Sequence, residues 1–600
     1  MTTETAQLKH GQAPDFIDSM LLRQFFDEEA NAEKASHDAL MQLPVEGRVR
    51  KRKCISGVSL DRNYREQGEM GERLFRITFG QNLSDFKEGE RVVLHYNWQA
   101  KMPGEIYEIP DDNSIIISAD TYNCFIDPYS LCGKELVLDK DTADLRPFVY
   151  NPFVDSLPAD KEFWENHPVN SRPQAQLANL EECRAELNDT ISNFGLKLLP
   201  KQYEAVLHSM AAENLYLLQG PPGTGKSFVL ALIMLEEMGY FKRKVAIVGP
   251  NHAAINNALE KLVELSPSVL YDYVAKIGKK YQAPQHLFEI NGEQKPLRNL
   301  YGCDASKMNA LPYALVLGLT PHTLYTRRGR GLKFDTIIID EAGQESIPLA
   351  IMAMQCGKKV ILAGDHKQLS PIIRNDKVPE SLKSSIFGRL MKEGNFTMLD
   401  TTFRMSDPIC KFVSNLFYDG KLETVKKNTG TLPVSADPLV SAAVPIVICD
   451  VEDSGMQVSE KEAERVAQIC SDLIANGLPA DQIGILAPFR AQVVQIRRAI
   501  RNCESIPDSH KTAIVADTVD KMQGQEREAI IYSMASGDSD YMLEMGDFLY
   551  NPQKLNVAFS RAKSKLIIVG NTAALNDVGK TAYPLLEKIV SYPNAVIVKC

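Results

Sequence analysis

Apolar residues recur along this chain with two different periods, and the change from one to the other divides it. Between 15 and 43, Phe16, Met20, Phe26 and Ala30 return at roughly helical spacing with acidic residues between them. This predicts a helix that Pro44 ends. From 55 to 142 the period drops to two: Phe75, Ile77 and Phe79 alternate with Arg76 and Thr78, the pattern of a half-buried strand. Further short apolar runs at 91–96, 104–109, 113–118 and 134–138 are set apart by turn signals such as Lys87-Glu88-Gly89 and Asp111-Asp112-Asn113. About five short strands in so little chain predict a small barrel. Residues 146–196 begin rich in proline and then turn helical, as a returning connection would.

From about residue 197 continuous apolar strands alternate with helical stretches, the mark of parallel α/β sheets. One series runs 214–219, 244–249, 314–319, 335–340 and 359–364; a second runs 445–450, 482–488, 513–519, 529–535 and 565–570. Ser459 and Glu462 predict a capping box that opens an amphipathic helix. The expected fold class is α/β: two tandem parallel-sheet domains with an N-terminal helical stalk and a small β-barrel insertion. The expected divisions are 1–54 for the N-terminal helix and stalk, 55–145 for the barrel and 146–196 for the returning stalk helices. The first α/β domain takes 197–395 and the second 396–600.

Composition narrows the classes. The 600 residues are 44% hydrophobic and 24% charged, ordinary for a globular protein. No apolar run approaches the roughly 18 residues of a membrane span, and the N-terminus lacks a signal-peptide pattern. The expected address is cytoplasmic, or nuclear in a eukaryote, with no membrane partner. None of the 11 cysteines forms a Cys-x-x-Cys pair, and no Cys/His group has zinc spacing, so reduced thiols are expected. A net charge of −10 means that any nucleic-acid groove is local on an acidic body. Arg48–Lys53, Arg327–Lys333 and Arg497–Arg501 are the basic stretches, each as readily solvated surface as groove.

The chemistry concentrates in the α/β part. Gly220, Pro221, Pro222, Gly223, Thr224, Gly225, Lys226 and Ser227 match G-x-x-x-x-G-K-[ST] between an apolar strand and a helix. Glycines there let main-chain N–H groups wrap phosphates at a helix N-terminus. Lys226 would reach the β- and γ-phosphates, and Ser227 would ligate magnesium. Asp340 and Glu341 end a later apolar strand, where the carboxyl ends of parallel strands face a ligand crevice. Asp340 can hold magnesium, and Glu341 can deprotonate an attacking water, which points to hydrolysis. No guanine-reading Asn-Lys-x-Asp element occurs, so ATP with Mg2+ is the expected pair.

With these residues in place, the chain resembles superfamily 1B helicases of the up-frameshift and immunoglobulin-mu-binding group. The resemblance is a series of motifs in order over about 198–570. Pro200-Lys201-Gln202 resembles the adenine-reading glutamine motif, and 248–259 resembles motif Ia, with Asn251-His252 where the family usually has Ser-Asn. Asp340 to Gln344 is similar to motif II and Gly364 to Leu369 to motif III. Thr402 to Met405 has Phe403 in place of the family's tyrosine. Ala487-Pro488-Phe489 with Gln492, then Thr518 to Asp520 with Gln523 to Glu526, and Asn556 to Lys563 resemble the later motifs.

The resemblance implies two RecA-like domains, with 55–142 as the family's barrel insertion. It implies Gln202, Phe403 and Glu526 around adenine and ribose, Gln368 as a sensor of the γ-phosphate or water, and Arg404 and Arg561 as arginine fingers. Fingers supplied by the second domain would make hydrolysis depend on closure. Asn251, Thr320, Pro488, Thr518 and Val519 are the expected strand contacts. The family's Cys/His-rich domain and C-terminal modules have no counterpart, which leaves the protein partners unknown.

The expected activity is that of an ATP-dependent helicase or translocase on single-stranded DNA or RNA, with 5′-to-3′ movement implied by the resemblance. The alternative is an ATP-gated single-strand clamp or recruitment platform that does not unwind. A nuclease is not expected, because Pro110-Asp111 lacks a Glu-x-Lys partner, and any nuclease would be a separate chain.

Overall fold

A computed structural model describes residues 16–68, 72–80, 82, 84–119, 126–279, 282–392, 395–426, 432–522 and 524–599. Gln523, within one of the motifs above, and Cys124 and Cys600 lie outside the described residues, as do the first 15.

The first helix spans Ser19–Met41, capped by Asp18, whose carboxylate accepts from Leu21 N–H. Its buried residues are Leu22, Phe25 and Phe26, all near its start. They join Ile17, Phe153 and Trp164 in one core with the strands of the first large sheet. Met20, expected on the apolar face, is 77% exposed. The start of this helix is therefore bedded in an α/β domain, while its later turns project.

Beyond a short helix, Val45–Arg50, the chain enters a closed antiparallel barrel of six strands in the order Cys54–Leu60, Leu74–Thr78, Ser114–Ala119, Ala100–Asp111, Arg91–Tyr96, Leu136–Lys140. The strand Cys54–Leu60 was not among the five expected, because Gly57 and two serines break its apolar pattern. Arg48 is not a solvated cation. It is 4% exposed and grips Asp139 with two bonds, Nε at 2.7 Å and Nη2 at 2.8 Å. His95 Nε2 meets the same carboxylate at 2.9 Å. Burial alone would push Asp139 up, but His95 and Arg48 outweigh it and hold its carboxyl below the ordinary range. This trio fastens the barrel to its stalk.

The helix Leu180–Phe194 returns from the stalk and packs Cys183 and Leu187 into the first sheet's other face. That sheet is parallel, in the order Asn299–Leu300, Val274–Ile277, Leu315–Leu319, Lys244–Val248, Phe334–Ile339, Gly357–Gly364, Leu215–Gln219, Phe396–Met398. Its central strands are buried on both faces, which is why they read as unbroken apolar runs. Phe396–Met398, on the far side of the expected division at 395, pairs with Leu217–Gln219. Three residues are too short to announce which sheet they join. The second sheet is also parallel, in the order Val515–Thr518, Ile483–Ala487, Arg527–Ser533, Ala562–Gly570, Ile446–Asp450, Val596–Lys599.

Ser459 caps its helix by accepting from Glu462 N–H. The other half of the expected capping box does not form, because the Glu462 carboxylate turns inward to Ser533 and Ala535 N–H. Among the described residues eight cysteines are free, but Cys449 is disulfide-bonded, against the expectation of reduced thiols throughout. No helix among the described residues is long and apolar enough to cross a membrane.

Asp139→Ala would leave the Arg48 guanidinium buried without its anion, at a cost of about 3–5 kcal/mol. The expected outcome is a matching loss of hydrogen-exchange protection in Cys54–Leu60 and Leu136–Lys140, with the two large sheets unchanged.

Candidate nucleotide site

The strand Leu215–Gln219 runs straight into the glycine loop, and the loop into the helix Lys226–Gly239. Two glycines are dictated by space and conformation. Gly223 has φ +73°, and a Cβ there would lie 2.5 Å from Arg404 Cβ and 2.6 Å from Thr402 Oγ1. Gly225 has φ +81°, and a Cβ would lie 2.9 Å from Gln202 Nε2. Gln202 secures the loop: its Oε1 accepts from Leu199 N–H at 3.1 Å and its Nε2 donates to the Thr224 carbonyl at 3.0 Å. Both ends of its amide are therefore engaged with main chain.

Lys226 Nζ reaches both strand-end carboxylates, Asp340 and, at 2.7 Å, Glu341. Burial opposes its charge, but the two carboxylates outweigh burial and raise its ammonium above the ordinary lysine range. The same surroundings split the carboxyls. Burial raises Asp340 further than Lys226 can lower it. For Glu341, Lys226, Gln344 and Arg561 together outweigh burial and hold its carboxyl below the ordinary range. Glu341 has φ +54°, a left-handed conformation that a non-glycine residue adopts at a cost of about 1–3 kcal/mol. Its Oε2 accepts from Gln344 Nε2 at 2.9 Å. Ser227 Oγ accepts from Asn257 Nδ2 at 3.0 Å.

The second sheet domain supplies the other wall. Phe403 N–H donates to the Gly223 carbonyl at 2.8 Å, and Thr402 Oγ1 to the Pro222 carbonyl at 2.8 Å. Phe403 is 42% exposed beside Gly225, a ring free on one side at the mouth of the loop. Arg404 Nε donates to Glu526 at 2.6 Å, and Lys563 pairs with the same carboxylate at 3.0 Å. Glu526, expected to await ribose hydroxyls, is thus committed to two cations. Among the described residues, Arg561 is 2% exposed and donates only to carbonyls, those of Val557 and Gln525. Burial first, then the cation of Arg404, pushes its guanidinium down to about 9. A buried cation with only carbonyl partners, next to another cation, suits a polyanion such as a triphosphate. The oxygens of Ser227 and Asp340 beside Lys226 suit a hard divalent ion.

Behind this site Asp365 gathers both domains. It accepts from Gln219 Nε2 at 3.0 Å, Gln368 Nε2 at 3.0 Å and Tyr418 OH at 2.6 Å. Asn556 Nδ2 donates in turn to the Tyr418 oxygen and to the Lys367 carbonyl. Gln368 therefore faces Asp365 and not the phosphate loop. The backbones on either side are pressed together: a Cβ on Gly364 would lie 2.5 Å from Gly343 N, and one on Gly343 would lie 2.5 Å from Asp365 O. Asn257, Gln219 and Tyr418 were not singled out from sequence. Tyr418 carries no local signal, since it reads as the end of an amphipathic helix.

The expected strand contacts are scattered. Asn251 is exposed, but its Oδ1 caps the helix His252–Leu265. Thr320 shares a hydrogen bond with Thr323. Thr518 is 8% exposed, and Val519, at 3%, belongs to the second domain's core, so the Val519 side chain is packing. Pro488 is half-buried, and the neighbouring Phe489 stacks on Phe548 at 5.4 Å. Gln492 is fully buried between Ser459 and Ser533, a structural role. Of the other basic stretches, Arg328 lies over the Tyr301 ring at 4.5 Å and Arg497 donates to the Ala516 carbonyl.

Two family models described as AAA domains match the chain, one over 197–294 and 316–376, the other over 382–573. The ATP-dependent helicase NAM7 of Saccharomyces cerevisiae is 29% identical over 420 residues, covering 64% of this chain and 43% of its own length. The ATP-dependent helicase upf1 of Schizosaccharomyces pombe is 30% identical over 422 residues, 63% of this chain and 45% of its own. The DNA polymerase alpha-associated DNA helicase A of the same yeast is 29% identical over 441 residues, 64% of each. The chain thus spans between 43% and 64% of these curated relatives. A crystal structure of arterivirus nonstructural protein 10 (helicase) is 11% identical, covers 86% of this chain and 79% of its own, and has a TM-score of 0.37.

Tyr418→Phe removes one hydrogen bond to a buried carboxylate, worth about 1.5–3 kcal/mol. At saturating ATP, turnover is expected to fall about tenfold, with nucleotide affinity little changed. Steady-state hydrolysis and a nucleotide titration check the split.

Proposed function

Since this chain belongs to the UPF1-like helicases of superfamily 1, we propose that it hydrolyses ATP to move along single-stranded nucleic acid and to unwind the duplex ahead of it. The observation that carries this reading is the arrival, from the second sheet domain, of Arg561 beside Glu341 and of Arg404 against Gly223 of the phosphate loop. A nucleotide held between them would draw the two sheets together. Its release would let them part, and a strand gripped by both would be advanced.

The residue roles follow from the contacts. Lys226 gives up its two carboxylates to neutralise the β- and γ-phosphates. That frees Asp340, with Ser227, to hold magnesium, which when bound would shield phosphate charge. Glu341, held by Gln344, takes a proton from the attacking water. Arg404 and Arg561 neutralise the charge that builds on the γ-phosphate, and Phe403 stacks on adenine. Asp365, with Gln368 on one side and Tyr418 and Asn556 on the other, transmits the state of the phosphate loop across the seam. The working parts are 197–398 and 399–600 as the two RecA-like lobes, since Phe396–Met398 belongs to the first sheet, and 54–145 as a barrel held over the strand. The strand is DNA or RNA, and movement is 5′-to-3′.

Glu341→Gln is expected to keep ATP binding and lose turnover by about 10²–10⁴, the scale of general-base catalysis. Arg561→Ala is expected to lose about 10³–10⁵ in turnover, the scale of an arginine finger, with affinity changed far less. Parent-like hydrolysis by Glu341→Gln defeats the assignment of the base.

Hydrolysis is expected to be low alone and to rise with mixed-sequence single strands, with binding that weakens as salt rises. Unwinding is expected to need a 5′ single-stranded tail. Stimulation without unwinding of any tailed duplex would favour the clamp, and a need for a 3′ tail would reverse the polarity.

A further inference from the structure

A cavity of about 680 Å³ lies between the leading helix and the first sheet domain, away from the phosphate loop. Its volume is that of a small-molecule site, for which about 300–1,000 Å³ is typical. The floor comes from the carboxyl ends of four parallel strands: Pro250 follows Lys244–Val248, Pro321 and His322 follow Leu315–Leu319, Gln344 and Glu345 follow Phe334–Ile339, and Ile372 follows Gly357–Gly364. Ligands of open α/β sheets bind in that position. The roof is Phe25, Phe26 and Ala30 of the helix Ser19–Met41, with Tyr150 of the returning segment.

Two features of the floor are unusual. Glu345 is 1% exposed, its Oε2 has no hydrogen-bond partner, and burial pushes its carboxyl up to about 8. The adjacent Ser346 Oγ is buried and also unpartnered. A buried polar atom without a partner costs about 1–3 kcal/mol, and both atoms are sealed from solvent, so each gains a hydrogen bond when its side chain turns toward an incoming group. Next to them, Gln344 holds the Oε2 of Glu341 at 2.9 Å. The cavity therefore touches the side chain that positions the hydrolytic carboxylate.

Charge selects the occupant. Glu29, Glu33, Asp38 and Asp144 stand against Lys34, Arg146 and Arg374 in the lining. Arg374 is already paired with Glu33 at 3.0 Å, and Arg146 with Asp144 at 2.7 Å. No excess of positive charge is left for a phosphate. A neutral, flat group with both donors and acceptors suits a neutral carboxyl, a hydroxyl and aromatic walls. Pro250 and Pro321 are the chain neighbours of Asn251 and Thr320, which the family resemblance puts at the strand.

We propose that this cavity receives one nucleobase of the bound strand, turned out of its stack, and that Gln344 conveys its presence to Glu341. Unstacking a single-stranded base is a modest cost, and the two unpartnered oxygens and the aromatic walls offset it. Each step of the motor would then be licensed by a base in the cavity. The inference rests on the strand reading above.

The test uses the full chain and single strands that carry 2-aminopurine at one position each. The expected result is one position in the bound footprint whose fluorescence rises several-fold above its neighbours. Ala30→Phe fills the roof from an existing helix, and Glu345→Leu removes the polar floor. Each is expected to flatten that peak and to lower the ratio of strand-stimulated to strand-free hydrolysis about tenfold, the scale of one stacked base. Glu345→Gln, which keeps shape and hydrogen bonding, is expected to restore both. Strand-stimulated hydrolysis with a flat fluorescence profile in the parent overturns this inference alone. So does a peak that survives Ala30→Phe. A flat profile together with a lysine-rich peptide that binds the parent and not Ala30→Phe overturns it in favour of a protein occupant. Absence of any stimulation by strands defeats the motor reading itself.

Discussion

The main-chain bond from Phe403 N–H to the Gly223 carbonyl, 2.8 Å long, ties the start of one sheet domain to the phosphate loop of the other. The approach is so close that a single Cβ on Gly223 would strike Arg404. This closeness fixes the rest of the site. It brings the Phe403 ring to the mouth of the loop and turns Arg404 toward Glu526. It also sets Arg404 beside the buried Arg561 guanidinium, so that two cations press on a region where, among the described residues, no carboxylate answers Arg561 directly. Lys226 neutralises Asp340 and Glu341, so phosphates at the loop would compete with both carboxylates for the same ammonium.

The leading helix has two physical roles at once. Its first turns are core, with Leu22 and Phe26 packed against the same sheet that carries the phosphate loop. Glu29 and Glu33 in its middle grip the chain just past Asp365–Leu369: Glu29 accepts from the N–H groups of Arg374 and Asn375, and Glu33 pairs with Arg374. Its far end leads to Arg48, whose bond to Asp139 makes barrel and stalk one mechanical piece. Lys279 of the first domain pairs with Glu105 of the barrel as a second point of contact. A force on the barrel would therefore reach the loops around the nucleotide along the helix Ser19–Met41.

Features carried by neighbouring residues are legible in the chain itself. The phosphate loop is eight consecutive residues, Asp340-Glu341 are adjacent, and the central strands of both sheets are unbroken apolar runs because both faces are covered. Their parallel arrangement and the barrel follow from period and spacing, but not their number: five strands were expected in each large sheet, and the sheets have eight and six. The barrel's first strand was missed because Gly57 and its serines hide the alternation.

What tertiary structure alone decided are the partners of charged and polar groups. Sequence gives an arginine its charge but not its neighbour. Arg48 read equally as solvated surface or groove cation until Asp139, 91 residues away, buried it. Glu526 read as a ribose acceptor until Arg404, 122 residues away, claimed it. Val519 read as a strand contact until the second core enclosed it. Tyr418, Gln219 and Asn556 have no common pattern, yet they meet around Asp365 because two separate sheets close on one another. Backbone periodicity is imposed by each segment on itself, and so it can be read from the segment. Hydrogen bonds and ion pairs between distant segments exist only once the sheets have stacked, and no stretch of the chain carries them alone.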